Sequence, residues 1–420
     1  MKTFELAYGS QSRKVELAEK NLLGELIMHD IPALPDMAGS IKTALEKPSG
    51  TPSLAEMLRK RKPKSLVILL TDHTRFCVYP EILPTITDYI AACGIPDNAI
   101  TFVVACGTHS FMNEEQRLKH YGETANRFRF EVHDCRADNL VDMGRLKSGN
   151  QLYLNKTVSE ADFLITTGIL NTHYMAGFSG GAKSILPGIS GYRTIQVNHA
   201  MVLDSNVNLA QTVENPIFLE MREAAKMAGV DFIINFVFNL QKKMAAIFSG
   251  RLEVAHAQGC QYIKDNYSVK WREQADVVIA SVGGEPKDKT LFHSQKTLNN
   301  TISLVKPGGT IVIFSSCKDG AGSEKMANAF KQVNSINELL QFPPQAIEVG
   351  VHRAVASARL LKHAEIVFIS ELRPELLNRF FFRSTSSWKE AEKYIVEKHG
   401  LSYKAYVVPN GTYFFGVQQK

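Results

Sequence analysis

The chain has 420 residues, of which 45% are hydrophobic and 21% are charged, and its formal net charge is +6. This length is about twice that of a typical domain and predicts two domains. The composition excludes collagen-like, disulfide-scaffold and globally disordered proteins. No apolar run reaches the roughly 18 residues of a membrane span, and Glu5 interrupts the region where a signal peptide has its apolar core. We therefore expect neither a membrane segment nor an export signal.

The modest positive charge does not indicate a nucleic-acid partner. The basic run RKRKPK at residues 59–64 is interpreted as a solvated helix end and loop, because no platform of interleaved aromatic and basic residues accompanies it. The six cysteines are scattered, without a C-x-x-C pair or the spacing of zinc ligands. They predict reduced thiols in a cytoplasmic protein, without a cysteine-ligated metal.

Short apolar runs rich in β-branched residues recur along the chain, separated by stretches long enough for helices. Such runs predict buried parallel strands. The runs are Leu66–Leu70, Phe102–Ala105, Phe163–Thr166, Phe232–Phe238, Val277–Ala280, Thr310–Phe314, Ile366–Ile369 and Tyr406–Val408. Residues 80–93 have helical periodicity and precede Gly94, a residue type common just after a helix. The alternation predicts an α/β protein with mainly parallel sheets.

A domain boundary is predicted at the polar segment Asn266–Glu273, which separates a helical stretch from the next apolar run. This places an N-terminal α/β domain over residues 1–270 and a smaller C-terminal α/β domain over residues 271–420. The last residues of the chain are then free to pack back on the first domain.

Candidate site residues follow the predicted strands, at the edge where open α/β sheets bind ligands. These residues are Asp72 and Arg75 in TDHTR (71–75), His109 in CGTHS (106–110), and His173 and Lys183 in the glycine-rich segment after the third strand. His199 is expected on a short helix that follows, and Asn113 with Gln116 predicts a capping box at a helix start. Histidine can take up a proton, release one or bind a metal. Its recurrence at strand ends predicts an active site.

The loop GFSGGAKS (177–184) is close to a phosphate-binding loop, but Ala182 stands where that motif requires glycine before the lysine. The magnesium-binding acidic residue of phosphate-loop NTPases is also missing at the strand ends. The glycine N–H groups can still bind an anion. The residues predicted to bind a phosphate or cofactor are Gly177, Ser179, Gly180, Gly181 and Lys183. A phosphate-loop kinase or NTPase stays open as an alternative.

A second group of candidates belongs to the C-terminal domain. The run at 277–280 is followed by the glycine turn SVGGEPKDK and then by a helix. Phe292 and Lys296 are four residues apart and share one face of that helix, with His293 beside them. These side chains suit a carboxylate ligand, and the alternative is a solvated helix start.

Taken together, these residues resemble the nickel-pincer lactate racemases and their 2-hydroxyacid racemase and epimerase relatives. The motifs concerned are TDHTR (71–75), GTH (107–109), NTHYMAGFSGGAKSILPGISG (171–191), Asn198–His199 and GGEPKD (283–288). The resemblance covers nearly the whole chain. It implies two α/β domains with the active site in a cleft between them.

The resemblance also implies a cofactor and roles for the site residues. The cofactor is a nickel-pyridinium-3-thioamide-5-thiocarboxylate mononucleotide, supplied by separate biosynthetic enzymes and covalently attached through a lysine. By motif position, the attachment residue is Lys183, the nickel ligand is His199, the acid/base residues are His109 and His173, and Asp72 and Arg75 line the site. Trp388 stands near the position of a family tryptophan.

The resemblance implies a small 2-hydroxyacid as substrate. Phe292, His293 and Lys296 stand where the lactate enzymes carry tyrosine, glutamine and lysine on the substrate side. Because two of the three differ, we expect a substrate larger or more polar than lactate, with a sugar acid ahead of an aromatic acid. Arg75 or Lys296 can hold its carboxylate.

The implied chemistry agrees with the residues at the strand ends. Moving a hydride from C2 and back avoids a carbanion beside a carboxylate, and a histidine can take the hydroxyl proton as general base. Inversion at C2 calls for two such bases on opposite faces. A non-catalytic binding protein of the same fold is the remaining alternative, but a binder has no use for two bases.

Overall fold

The structure is a computed structural model that describes residues 1–419. The chain divides into two compact units. We call Asp30–Asn266 the central unit, and Met1–His29 together with Tyr267–Lys420 the terminal unit. The first 29 residues therefore belong with the C-terminal part of the chain, and the prediction that placed them in an N-terminal domain over residues 1–270 is wrong at that end.

The N-terminal residues join the terminal unit because they cover its sheet. The strands here are β1 (Lys2–Tyr8), β2 (Gln11–Leu17) and β3 (Leu22–Glu25). β1 and β2 form an antiparallel hairpin in which Phe4, Leu6 and Tyr8 alternate with exposed residues and are buried. Side chains of this hairpin pack in one cluster with the sheet residues Val277 and Val312.

The central unit contains nine helices among its described residues. They are α1 (Met37–Glu46), α2 (Leu54–Arg61), α3 (Tyr79–Ala92), α4 (Glu114–Tyr121), α5 (Thr124–Arg127), α6 (Lys156–Ser159), α7 (Tyr192–Ala200), α8 (Pro216–Met227) and α9 (Leu252–Tyr267). The strands of this unit are β4 (Leu66–Thr71), β5 (Ile100–Ala105), β6 (Arg129–Val132), β7 (Val141–Arg145), β8 (Gln151–Leu154), β9 (Phe163–Ile169), β10 (Thr172–His173), β11 (Gly177–Phe178), β12 (Phe232–Phe238) and β13 (Met244–Gly250).

The main sheet of the central unit has the strand order β13-β12-β9-β4-β5-β6. All its pairs are parallel except β12 with β13. The chain runs from β4 outward through β5 to β6, and then returns to β9 on the other side of β4. The strand order therefore reverses between β4 and β9, which is the point where open α/β sheets bind ligands.

The rest of the terminal unit also alternates strands and helices. The strands are β14 (Val269–Trp271), β15 (Ala275–Ser281), β16 (Val305–Phe314), β17 (Glu365–Ile369), β18 (Arg383–Thr385), β19 (Ala405–Val408) and β20 (Gly416–Gln418). The helices are α10 (Leu291–Thr301), α11 (Glu324–Lys331), α12 (Ile336–Leu340), α13 (Val351–His363), α14 (Pro374–Arg379) and α15 (Trp388–His399). Across the whole chain, 3₁₀ turns occur at Glu19–Asn21, Asp97–Ala99, Gly181–Ser184, Met201–Leu203, Ile302–Leu304 and Pro344–Ala346.

The sheet of the terminal unit has the order β18-β17-β16-β15-β19-β3, with parallel pairing throughout. The N-terminal strand β3 forms one edge, beside β19. β20 pairs with β14 inside the same unit. The last strand of the chain is therefore paired with a strand of the terminal unit.

The predicted local elements are confirmed. Each of the eight apolar runs lies in a strand of one of the two sheets. The helix predicted at 80–93 is α3, and Gly94 after it has a φ of 87°. Asn113 and Gln116 form the predicted capping box at the start of α4. All six cysteines are free thiols.

None of the helices within residues 1–419 has the length and apolarity needed to cross a membrane.

Candidate active site

The candidate residues of the central unit lie beyond three neighbouring strands. β4, β5 and β9 are adjacent and parallel, so their carboxyl ends meet at one edge of the sheet. Asp72 follows β4, His109 follows β5, and the segment with His173 and Lys183 follows β9. The strand order thus brings together the residues that the sequence analysis selected one strand at a time.

The structure joins Asp72 directly to His109. A carboxylate oxygen of Asp72 lies 2.8 Å from Nδ1 of His109. Thr74 donates to the other carboxylate oxygen through both its backbone N–H and its hydroxyl. Asp72 is 2% exposed, whereas the His109 side chain is 40% exposed. A buried carboxylate therefore supports an imidazole that is accessible to a ligand.

The electrostatics of this pair keep Asp72 ionised. Burial by itself raises the pKa of Asp72, but the hydrogen bonds from His109 and Thr74 and the positive charge of Arg75 lower the pKa to about 2. An ionised carboxylate can only accept hydrogen bonds, so Nδ1 of His109 carries a proton. The sequence predicted a polar cluster of Asp72 and Arg75 but not the bond between Asp72 and His109.

His173 lies in a short hairpin formed by β10 and β11. It pairs with Gly177 across the hairpin. Its Nδ1 accepts hydrogen bonds from the backbone N–H groups of Met175 and Ala176, at 3.2 and 3.1 Å. The ring is therefore oriented through Nδ1 by the turn of its own hairpin.

The glycine-rich loop is packed tightly against two side chains from other elements. A Cβ on Gly180 would lie 2.9 Å from Asn235 on β12, and one on Gly181 would lie 2.6 Å from the ring of His256 on α9. Both glycines have positive φ, at 76° and 52°. The reason for glycine at these positions is close packing together with left-handed backbone.

This packing differs from that of a phosphate-binding loop. The Gly181 N–H donates to Asn235 at 3.1 Å, and the Ser179 N–H donates to the carbonyl of Asn171 at 2.8 Å. These two groups are therefore not free to bind an anion as the glycine pattern predicted. Lys183 lies in the single 3₁₀ turn Gly181–Ser184, and the next α-helix, α7, begins only at Tyr192. A phosphate loop leads directly into a helix, so the structure gives no support to the kinase or NTPase alternative.

His199 lies in the last turn of α7, the short helix predicted around it. The helix is anchored through the neighbouring Asn198, whose side-chain amide donates to the carboxylate of Glu220 on α8 at 2.7 Å. Glu220 also accepts from Asn150 at 3.3 Å and from the hydroxyl of Ser148. The buried side chains of Asn150, Asn198 and Glu220 thereby anchor the helix that carries His199.

Four residues that support the candidates were not identified from the sequence: Thr74, Glu220, Asn235 and His256. Thr74 has a local signal, because a threonine two residues after an aspartate is typical of a turn in which the aspartate accepts hydrogen bonds. The other three have none, since each acts on a residue that is distant in the chain. His256 acts structurally, by donating to the carbonyl of Ser179 at 3.0 Å.

The candidates of the terminal unit lie at the start of α10. Thr290 caps this helix, and its hydroxyl lies 2.7 Å from Nδ1 of His293. Phe292 packs under the guanidinium of Arg353, at 4.2 Å from its ring centroid. Lys296 lies 5.6 Å from the ring of Tyr413. Burial, followed by the charge of Arg353, lowers the pKa of His293, which favours a neutral imidazole.

Trp388 lies at the first position of α15 in the terminal unit. Its indole N–H donates to the carbonyl of Glu16 on β2 at 3.0 Å.

The donor groups suit a metal that arrives with its own ligands. Within residues 1–419, no cluster of three or more histidine, cysteine or acidic side chains is arranged to hold a metal ion. The central unit does provide the imidazole of His199 and the amine of Lys183. Imidazole nitrogen is a suitable nickel ligand, and a lysine amine can form a covalent attachment.

Family models match both parts of the chain. The lactate racemase N-terminal domain matches residues 8–210, and the lactate racemase C-terminal domain matches residues 270–415. Two curated relatives are similar over nearly their full length. The lactate racemase of Lactiplantibacillus plantarum is 30% identical and covers 98% of this chain and 99% of its own. The lactate racemase of Thermoanaerobacterium thermosaccharolyticum is 31% identical and covers 98% of both.

Two solved structures have a similar fold. The lactate racemase apoprotein of Thermoanaerobacterium thermosaccharolyticum superposes with a TM-score of 0.91 at 29% identity and covers 100% of both chains. A protein of Thermotoga maritima superposes with a TM-score of 0.65 at 17% identity, covering 92% of this chain and 99% of its own, which shows similarity of fold alone.

The fold, the residues at the strand ends and these relatives define the class of the protein: it is an α/β isomerase that acts as a racemase. The chain belongs to the lactate racemase family. The family resemblance predicted from the sequence motifs is thereby confirmed.

Proposed function

We propose that this racemase inverts C2 of a 2-hydroxyacid with His109 and His173 as its acid/base residues. The observation that carries the proposal is the pair formed by Asp72 and His109 at the switch point of the central sheet, beside the loop that holds Lys183. A buried carboxylate bonded to Nδ1 orients an imidazole and stabilises its protonated form, as a general base requires. Membership of the lactate racemase family supports the same assignment.

We further propose that Lys183 attaches the nickel-pincer mononucleotide and that His199 ligates its nickel. The lactate racemase family uses a nickel cofactor, and the amine of Lys183 with the imidazole of His199 is the donor set that such a cofactor needs. When bound, the cofactor supplies a hydride acceptor for the hydrogen at C2. Gly177, Ser179, Gly180 and Gly181 shape the loop around Lys183, and Asp72 and Arg75 line the site.

The protein residues handle the carboxylate and the hydroxyl proton. Arg75 or Lys296 holds the carboxylate, so that the carbonyl carbon formed at C2 can present either face. The hydroxyl proton moves to an imidazole nitrogen as the oxygen becomes a carbonyl, and it returns in the reverse step. Neutral imidazole suits this exchange, because its ordinary pKa lies near physiological pH.

We propose a substrate larger or more polar than lactate, with a sugar acid favoured over an aromatic acid. Thr290 accepts the backbone N–H of His293 and can give its own hydroxyl proton to Nδ1 of the same residue. That arrangement leaves Nε2–H of His293 to donate to a further hydroxyl or carboxylate on the substrate. A site built to make such a bond discriminates against a substrate that lacks the partner.

A mutant series tests the catalytic and metal assignments. Protein co-expressed with the cofactor biosynthetic enzymes is compared by peptide mapping, nickel analysis and loss of optical activity. In the wild type, the peptide that contains Lys183 should carry the added mass of the cofactor. His199→Ala should lose nickel, whereas His109→Ala and His173→Ala should keep it and lose about 10²–10⁴-fold in turnover.

His29→Ala provides the matched control, because His29 is exposed and outside the candidate site. It should keep both nickel and activity. An unmodified Lys183 in active protein, or normal activity in either base variant, would contradict the assignments.

A substrate panel tests the specificity. Lactate, malate, phenyllactate and gluconate are compared by kcat/KM with cofactor-loaded enzyme, and gluconate should react fastest. His293→Gln, which places glutamine where the lactate enzymes carry it, should shift the preference toward lactate, whereas the control His29→Ala should leave the preference unchanged. If lactate is the best substrate of the wild type, the proposed specificity is rejected.

We also propose a cytoplasmic location, where reduced thiols persist and the cofactor biosynthetic enzymes would act as partners. The six free cysteines support this location.

A further inference from the structure

The two candidate catalytic histidines are held at Nδ1 by chemically opposite partners. Nδ1 of His109 lies 2.8 Å from a carboxylate oxygen of Asp72, a group that has lone pairs and no proton to give. Nδ1 of His173 lies 3.2 and 3.1 Å from the backbone nitrogens of Met175 and Ala176, and backbone N–H groups can only donate. The first partner requires a proton on Nδ1, and the second requires a lone pair there.

We propose that the resting protein holds its two neutral catalytic histidines in opposite tautomers, with His109 protonated at Nδ1 and His173 protonated at Nε2. His109 then presents a lone pair at Nε2 and is ready to accept a proton. His173 presents an N–H group and is ready to donate a hydrogen bond. The catalytic meaning of this difference rests on the proposed function, but the tautomers are a property of the protein itself.

The surroundings of Asp72 stabilise the tautomer of His109 that is protonated at Nδ1. The carboxylate is buried, and its other oxygen is occupied by the N–H and hydroxyl of Thr74. The hydroxyl of Thr74 also lies 3.4 Å from Nδ1 of His109. Moving the proton of His109 from Nδ1 to Nε2 would place a lone pair against the carboxylate and leave that buried charge without its hydrogen bond, which is costly.

The hairpin around His173 stabilises the tautomer of His173 that is protonated at Nε2. The chain reverses within four residues, and Gly177 at the return has a φ of 72°. A Cβ on Gly177 would lie 2.1 Å from the carbonyl oxygen of Gln211, so the turn is closely confined. Met175 and Ala176 are themselves buried. A proton on Nδ1 of His173 would face two N–H groups that have no room to turn away.

For one enantiomer, the resting tautomers already suit the proton step. The hydroxyl proton of the substrate moves to Nε2 of His109, so that one O–H bond breaks and one N–H bond forms, and the resulting imidazolium lies against Asp72. His173 meanwhile donates a hydrogen bond from Nε2 to the substrate oxygen, as a neutral imidazole can. For the opposite enantiomer, His173 accepts the proton at Nε2 after its resting proton has moved to Nδ1, a change that breaks both hairpin bonds.

Nitrogen NMR of the unmodified chain tests the tautomers without any cofactor. The protein is labelled with ¹⁵N in its histidine rings, and His109→Gln and His173→Gln each remove one set of signals to assign it. Where either variant does not fold, the His→Asn change at the same position serves. Two-bond ¹H–¹⁵N correlations, recorded with the imidazoles neutral, should show protonated Nδ1 for His109 and protonated Nε2 for His173. The same tautomer at both positions, or the reverse pair, would overturn the inference.

Asp72→Asn provides a second arm, because the side-chain amide can donate to Nδ1 of His109. The His109 signals should move toward the Nε2-protonated pattern, as expected when the orienting carboxylate of a catalytic histidine is replaced. The His173 signals should not change. A His109 pattern identical to that of the wild type would contradict the role given to Asp72.

The two proposals fail in different ways. Cofactor-loaded protein that shows both tautomers but racemises no 2-hydroxyacid would reject the proposed function and leave the tautomer assignment standing. Active enzyme with His173 protonated at Nδ1 would reject the tautomer assignment and leave the function standing.

Discussion

Gly181, in the loop before Lys183, is confined both by its backbone conformation and by close packing. Gly181 has left-handed backbone, and a Cβ at this position would lie 2.6 Å from the ring of His256. Gly229 has a similar φ of 71°, but a Cβ at that position would meet nothing within 4 Å. Both positions therefore favour glycine because of their backbone conformation, and only Gly181 is also confined by a neighbouring side chain.

We expect Gly181→Ala to be much more destabilising than Gly229→Ala. The latter should cost about 1 kcal/mol, the strain of a left-handed alanine. The former adds a clash with a buried ring and should cost about 2–4 kcal/mol in all. Urea unfolding of both variants measures the difference. Equal losses would show that His256 does not confine the loop.

The carboxylate of Asp72 should make folding stability depend on acid pH. Its pKa is about 2 in the folded protein, against an ordinary value of 3.8, so the folded state favours the ionised form. The stabilisation is present above the ordinary pKa and is lost as the pH falls through the folded pKa of about 2. It amounts to about 2 kcal/mol.

Comparing urea unfolding of wild type and Asp72→Asn at about pH 5 and about pH 3 isolates this contribution. The variant should lose less stability between the two pH values than the wild type does. Asp138→Asn is the control, because Asp138 is exposed, and it should behave as the wild type. An unchanged pH dependence in Asp72→Asn would contradict the burial and bonding described for this carboxylate.

At the scale of elements, a buried polar contact joins α7 to α8. The buried carboxylate of Glu220 receives the side chains of Asn198, Asn150 and Ser148. Glu223, one turn further along α8, is partly exposed and accepts the backbone N–H of Lys147, which lies outside α7.

We expect Glu220→Ala to loosen α7 and thereby His199. Removing the carboxylate leaves buried donors without their acceptor, at a cost of about 2–4 kcal/mol. Hydrogen exchange followed by mass spectrometry should show faster exchange over 192–200. Glu223→Ala, the matched control, should leave that peptide unchanged. Normal protection of 192–200 in Glu220→Ala would show that other contacts hold the helix.

At the scale of the whole molecule, the terminal unit is built from both ends of the chain. The β1–β2 hairpin buries Phe4, Leu6, Tyr8, Val15 and Leu17 in the core of that unit. Burial of five such side chains contributes roughly 10 kcal/mol. That is comparable to the net stability of an ordinary domain.

We expect residues 267–420 expressed alone to be unfolded, and addition of residues 1–29 to restore folding. Residues 30–266 form a compact unit of continuous chain and should fold by themselves. Circular dichroism and thermal unfolding of the three fragments provide the measurement. A cooperative transition in 267–420 alone would contradict the importance given to the N-terminal hairpin.

The sequence by itself determined the strands, the edge of the sheet that carries the candidate site, and the family. Mainly apolar runs such as Phe232–Phe238 form strands that are buried on both faces, and the residues themselves indicate this burial. Polar residues placed just after such runs, as in TDHTR, can only lie at a strand end. The motif block at 171–191 was specific enough to indicate the family.

Only the tertiary structure decided which distant groups meet. The Asp72–His109 bond, the packing of Gly181 against His256 and the anchoring of Asn198 by Glu220 each join elements far apart in the chain. Strand order sets the first pair and the packing of helices sets the other two, and both depend on the whole fold. The same holds for the first 29 residues, because the alternation in β1 shows that one face must be buried but not which core receives it. Local pattern specifies an element, whereas its partner is specified by the fold.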